Sequence, residues 1–258
     1  FVGERGSGFR SDIAIDEFVV EEDPCPVTAP YAENFDGGDF DDATDAIDAC
    51  WERTNDGGDM GDWVVNSGGT NSSSTGPTDD VSGGGNYLYI EASNPADQGD
   101  SAFLNTPPID LSPLTAPRMR ISYHMNGGNM GTFSVQVKEV SAGTYNTEFT
   151  ISGEQQNNQG DPFIEEIIDL SAYAGQTVDI RFVGEKGSSF TSDIAIDEFE
   201  VEENPCPVTA PYAENFDGAN FDAGNNTIDD CWARSDDGSG YEWEVDNNGT
   251  PSSNTGPD

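Results

Sequence analysis

Carboxylates dominate the chemistry open to this chain, with fifty Asp and Glu against nine Lys and Arg. They crowd into glycine-rich stretches, DGGDFDD at 36–42, NDGGDMGD at 55–62 and TDD at 78–80, and two stand inside an apolar run at Asp193 and Asp197. Oxygen-rich stretches suit hard cations, since calcium takes about six to eight oxygens. No stretch has EF-hand spacing, so a cation site would be assembled from segments far apart in sequence. The competing reading is solvation, because runs of charge usually cover a surface and keep it soluble.

Nucleophilic chemistry is poorly supplied. There is one histidine, His124, no GxSxG elbow and no CxxC. Glycoside hydrolysis needs only two carboxylates, but their abundance is not geometry, and the chain reads as a non-enzyme. His124 reads as a hydrogen-bonded structural residue. The four cysteines fall as Cys25 and Cys50, then again as Cys206 and Cys231. An even pair per segment predicts disulfides Cys25–Cys50 and Cys206–Cys231, each closing a loop worth about 3 kcal/mol in the chain-entropy model.

The net charge of −41 repels phosphate backbones and anionic membranes, which excludes nucleic acid as a partner. No run of about 18 apolar residues is present to cross a bilayer. The opening residues, FVGERGSGF, lack a signal-peptide pattern, so any targeting segment is expected outside this stretch.

The elements that must position these groups are strands. Apolar residues alternate or cluster at 86–93, 119–125, 131–140, 148–152, 163–170, 178–185 and 194–202, between turns rich in Gly, Pro and Asn. This predicts an all-β, jelly-roll β-sandwich. Residues 1–37 recur at 182–218, giving tandem repeats of 181 residues. The expected organisation is residues 1–24 as the C-terminal strands of a preceding repeat, 25–204 as a complete module and 205–258 as the N-terminal part of the next. Segments of 24 and 54 residues bury too little surface to fold alone, so neighbouring repeats or neighbouring molecules must complete them. The joint ENPCPVTAP has three prolines and no glycine, which predicts an extended, stiff connection and a rod of modules.

Three strings in order, GDWVVNSGGTNSSSTGPTDDVSGGGNYLYIEAS (61–93), ISYHMNGGNMGTFSVQV (121–137) and VDIRFVGEKGSSFTSDIAIDEFEV (178–201), resemble the MAM domain. The resemblance implies a jelly-roll module of extracellular adhesion proteins, with a structural cation, calcium, between the first and last strands. In this sequence that points to Asn34, Asp36, Asp80, and Asp193 or Asp197. Arg118 departs from the pattern, standing where animal MAM domains commonly have a cysteine. The repeats are similar in style to bacterial surface adhesins or filaments. The function expected is therefore a stiff extracellular cell-surface module for attachment, with neighbouring repeats, glycans or other surface proteins as partners. The alternative is a lectin-like carbohydrate-binding module, accessory to a secreted enzyme, with Trp51, Trp63, Trp232 or Trp243 stacking on a sugar ring or else filling the core. Asp100-Ser101-Ala102 resembles a bacterial O-glycosylation acceptor, which makes Ser101 a glycosylation candidate.

Overall fold

The computed structural model describes residues 25–207 and Cys231. The calls on residues 1–24, on most of 205–258, and on Trp232 and Trp243 lie outside the described residues. Two compact units divide at Glu202/Glu203. In the second, the described feature is the Cys206–Cys231 disulfide, with the Cys206 amide donating to Asn204 Oδ1 at 2.9 Å.

The first unit is built from thirteen strands: β1 (Val27–Thr28), β2 (Tyr31–Glu33), β3 (Glu52–Asn55), β4 (Val64–Asn66), β5 (Tyr87–Ile90), β6 (Ser101–Asn105), β7 (Ile109–Asp110), β8 (Pro117–His124), β9 (Thr132–Glu139), β10 (Asn146–Ser152), β11 (Ile164–Asp169), β12 (Thr177–Glu185) and β13 (Ile194–Glu203). They form the expected two-sheet sandwich. The seven strands read from the sequence are all present, and the short β1–β4, β6 and β7 are additional. Glu-Arg-Thr-Asn in β3 has no apolar alternation to announce a strand, and it is held only as a partner of β6.

Each sheet is organised around one long strand. In the first, β12 pairs with β9 along its length on one edge and with β6 and β7 on the other, while β10, β3 and β1 extend the sheet outward. In the second, β13 lies beside β8, and its other edge is shared in line by β5 and β2. Alternation sends Phe133, Val135 and Val137 of β9 and Val178, Ile180 and Phe182 of β12 inward. They meet Met119, Ile121 and Tyr123 of β8 and Ile194, Ile196, Phe199 and Val201 of β13.

The tryptophans belong to this core. Trp63 is 0% exposed and its indole Nε1 donates to the Ala102 carbonyl at 3.2 Å. Trp51 packs edge to face with Phe35, Phe40 and Phe199 and donates to Tyr31 Oη. Neither ring is available to stack on a sugar. Gly184, near the end of β12, makes room for Trp63: a Cβ there would lie 3.2 Å from Trp63 Cζ2 and 2.7 Å from Ile90 Cδ1.

The Cys25–Cys50 bridge is formed, with Cα atoms 5.1 Å apart, and ties the start of the module to the loop before β3. Among the described residues no helix is long and apolar enough to cross a membrane.

Gly184→Ala should therefore overpack the core and cost about 1–3 kcal/mol. A melting temperature several degrees below wild type, with unchanged far-ultraviolet circular dichroism, is the expected result. The double replacement Cys25→Ala/Cys50→Ala should cost about 3 kcal/mol in denaturant melts.

Candidate metal centre

One face of the second sheet carries a polar shelf. Leu88 and Ile90 of β5 point into the main core, so Tyr87 and Tyr89 lie on the opposite face, where they form a separate buried cluster with Ala195. The loop from residue 67 to 86 straps over this face. Tyr87 Oη donates to the Gly68 carbonyl at 2.7 Å, the Asp193 amide donates to Thr75 Oγ1 at 2.9 Å, and the Val81 amide donates to Asp197 Oδ2 at 2.8 Å.

Asp197 reaches the strap because β13 is bulged. Ile194 and Ile196 face the core, but the next core residue is Phe199, three positions on, and Glu198 between them has φ +49°. The extra residue turns both Asp197 and Glu198 away from the core at the point where β13 changes partner from β5 to β2. Asp197 is 1% exposed and its other oxygen accepts from the Glu198 amide at 2.7 Å. Burial drives its carboxyl up to about 7, against the Val81 and Glu198 amides, and the Glu198 and Asp80 charges add to the rise.

Asp80 and Asp36 clasp the far end of the same loop. Asp80 accepts from the Gly84 and Gly85 amides on Oδ1 and from the Ser82 amide and hydroxyl on Oδ2. Burial alone would raise Asp80, but the Ser82 hydroxyl and the amides of Gly85, Gly84 and Ser82 outweigh it and hold the group down to about 2. Asp36 accepts from the Asn86 amide at 2.6 Å and from Asn34 Nδ2 at 2.9 Å. The turn admits this only because residues 83 to 85 are glycine: Gly84 has φ +105°, and a Cβ on Gly85 would lie 1.9 Å from Asp36 Oδ1.

The structure thus draws Asp36, Asp80 and Asp197 to one loop, with Asn34 hydrogen-bonded to Asp36. Every carboxylate oxygen of the three accepts from at least one N–H or O–H donor of the loop or of a neighbouring residue. Among the described residues no three His, Cys, Asp or Glu side chains converge to hold a metal by themselves. Asp36, Asp80 and Asp197 therefore act as loop anchors, with Asn34 held on Asp36.

Asp193 sits apart from them. Ile194 pairs with Ile90 at the end of the β5–β13 ladder, and Asp193 and Glu91 each stand one residue beyond that last pair. Asp193 Oδ1 accepts from the Ala92 amide at 2.9 Å. Burial lifts the Asp193 carboxyl to about 7, and the Glu91 charge raises it further.

His124 is fully buried against Phe163, ring centroids 5.3 Å apart. It is structural, packed on Phe163 with the backbone of Asp161 and Asn158 at its ring. Burial takes its pKa down to about 4, so the ring is neutral. Ser101 opens β6 half-buried, its amide donating to Asp56 Oδ2. Arg118 ion-pairs with Glu202, NH2 to Oε1 2.5 Å.

An open cleft of about 560 Å³ lies beside the strap, lined by Glu33, Asn34, Val81, Arg120, Glu165 and Glu198 among others. Arg120 ion-pairs with Glu165 and with Glu200, the latter at 3.4 Å. The cleft is polar, and it offers hydrogen-bond donors and acceptors without an exposed ring.

The profile of the MAM domain, meprin/A5/mu, matches residues 38–207. The MAM domain-containing glycosylphosphatidylinositol anchor protein 1 of Rattus norvegicus is 32% identical over 139 residues, 53% of this chain and 14% of that protein. Neuropilin-1 of Xenopus laevis is 32% identical over 149 residues, 57% of this chain and 15% of that protein. The chain thus spans about a seventh of the length of these relatives. Among solved structures, the K1 cleaved adhesin domain of Lys-gingipain from Porphyromonas gingivalis W83 is similar at 18% identity and TM-score 0.45, over 67% of this chain and 98% of that one. TmCBM61 in complex with β-1,4-galactotriose is similar at 14% identity and TM-score 0.41, over 67% and 99%.

Stability should depend on pH through the shelf. Asp197 is raised above its unfolded value of 3.8, so its contribution is full below about pH 4 and is lost as pH rises through about 7. Asp80 is depressed, so its contribution is present above about pH 4 and is lost as pH falls towards 2. Melting temperature should rise by several degrees from pH 8 to pH 5 in chelator. Asp197→Asn should flatten that slope, and Asp80→Asn should flatten the loss below pH 4.

Proposed function

This chain belongs to the MAM domain family, and we propose that it serves as a repeated extracellular module for structure and adhesion rather than as a catalyst. The observation that carries this reading is the recurrence of residues 1–37 at 182–218, which places a cysteine pair of identical separation, 25 residues, at the head of each copy. Both pairs are bridged, and each bridge fastens a proline-rich joint to the first loop of the module that follows it. Proline fixes φ and removes conformational freedom, so such a joint transmits orientation from one module to the next. The 181-residue period then reads as the repeat of a stiff array, of the kind built by bacterial surface adhesins or filaments, with modules 1–24, 25–204 and 205–258 as its consecutive parts. Disulfides and a surface of net charge −41 both suit an oxidising, extracellular setting.

A second reading, glycan recognition, is favoured by the polar cleft between the strap and Arg120. Asn34, Glu33, Arg120, Glu165 and Glu198 could bond sugar hydroxyls there. The tryptophan-stacking version is not retained, since Trp51 and Trp63 are in the core.

Arrays of two, four and six repeats, measured by small-angle X-ray scattering, separate a rod from a flexible string. A maximum dimension growing by a constant increment per repeat is the expected result, and growth as roughly the square root of repeat number would overturn it. Glycan-array binding by the module that is abolished in Arg120→Ala would support the second reading.

A further inference from the structure

The solvent face of the first sheet carries a cation that the acidic chain leaves without a counter-charge. Among the described residues, Arg53, Arg118, Arg120 and Lys138 each hold a carboxylate. The buried Lys186 ammonium donates to the Ala96 carbonyl. Arg181 has no carboxylate partner. Alternation turns it outward from β12, where its ladder neighbours are Asn105 of β6 on one side and Gln136 of β9 on the other. Residues opposed across a ladder are where an opposite charge is placed most easily, and in a chain with fifty acids both positions are amides. Two carboxylates of the same face are engaged elsewhere, Asp179 with Lys138 at 3.1 Å and Glu52 with Asn105 Nδ2 at 3.4 Å.

Arg181 is also held in a fixed plane. Its guanidinium carbon lies 3.9 Å from the centroid of the Tyr145 ring and 4.7 Å from that of Phe103. Its Nε and Nη2 both donate to Gln136 Oε1, at 3.1 and 2.5 Å. Tyr145 is fastened in turn, its Oη donating to Asn105 Oδ1 at 3.4 Å. Aromatic faces attract a cation and restrict it without neutralising it. The next strands add hydroxyls to the same face, where Ser134 Oγ donates to Thr150 Oγ1 and Thr132 pairs with Ser152.

We propose that this face binds a carboxylated sugar within an otherwise neutral glycan, with Arg181 receiving the carboxylate. Charge complementarity sets the sign of the ligand: a pre-oriented guanidinium suits a planar carboxylate, which can take two parallel N–H bonds. The neighbours set its class, because Gln136, Asn105 and the Ser134 and Thr150 hydroxyls can both donate to and accept from sugar hydroxyls, while the rims of Phe103 and Tyr145 meet sugar carbons. The net charge of −41 repels a polyanion, which is charged at every step. A glycan with one carboxylate meets mainly the local cation, since at physiological salt charges more than about 8 Å apart are largely screened. The Arg120 cleft opens on the outer side of the other sheet, so this site does not depend on it.

The test titrates the whole chain at about 0.15 M salt with sialyllactose, trigalacturonate and lactose, read by calorimetry and saturation-transfer nuclear magnetic resonance. Sialyllactose should bind if the carboxylate is that of a sialic acid, and trigalacturonate if it is that of a uronic acid, with lactose at least about tenfold weaker than whichever acid binds. Arg181→Gln should lose that preference, and Arg181→Lys should keep only part of it, because an ammonium lacks the fork. Gln136→Glu supplies the missing counter-charge directly opposite Arg181. It should therefore keep or raise the melting temperature while weakening binding at least about tenfold, which separates the site from a merely structural cluster. Arg120→Ala should bind as wild type does. Failure of both acids to bind, lactose binding as tightly as the acids, or unimpaired binding by Gln136→Glu would overturn the assignment. So would self-association of the chain that Arg181→Gln abolishes, because a carboxylate of a second copy would then be the occupant.

Discussion

A loop that leaves a β-sheet carries backbone N–H groups with no neighbouring strand to accept them, and burying such a group without a partner costs free energy comparable to a lost hydrogen bond. In this module the acceptor is repeatedly an aspartate. Asp45 takes the Val65 amide, Asp48 that of Cys50, Asp56 those of Gly58 and Ser101, and Asp100 those of Asp59 and Asp97. Asp110, Asp161 and Asp169 do the same at later turns. A charged acceptor makes a stronger bond than a neutral one, and the short aspartate side chain lets it fold back on its own loop. Much of the acidity therefore holds the loops in shape, beyond covering the surface.

The strap over the second sheet is the fullest case. It is anchored at Asp36, Asp80 and Asp197, and it covers a small aromatic cluster that the main core does not reach. The anchors sit on elements fixed by the sandwich, and the β13 bulge aims the last of them.

Membership of the MAM domain family fits the division of labour in the fold. The core takes the tryptophans and most of the large aromatic rings, leaving loop and sheet-face surfaces of polar and acidic residues. Such a surface resists non-specific association. The disulfide at the head of the module closes on the joint, so the same covalent bond that stabilises the fold also restrains the direction in which the chain enters it.

The sequence by itself determined what is local or repeated. Period-two alternation marked the long strands, because a residue's face in a sheet depends only on its parity. The cysteine pairs followed from their count and recurrence, and the 181-residue period from identity alone. The short strands β1–β4 and β7 were not legible, since segments of two to four residues become strands only when a neighbour supplies the ladder. Nor were the roles of the carboxylates. Asp80 and Asp197, or Glu91 and Asp193, are more than 100 residues apart, and register together with one bulge decides which of them meet. Glu91 had a signal in the alternation Tyr87-x-Tyr89-x-Glu91, which sets an acid on a face otherwise filled by rings. Its meaning depended on Asp193 standing nearby. Composition and spacing could say that oxygen was plentiful; only the tertiary structure decided which oxygens were already taken, because hydrogen-bond satisfaction is a property of neighbours in space.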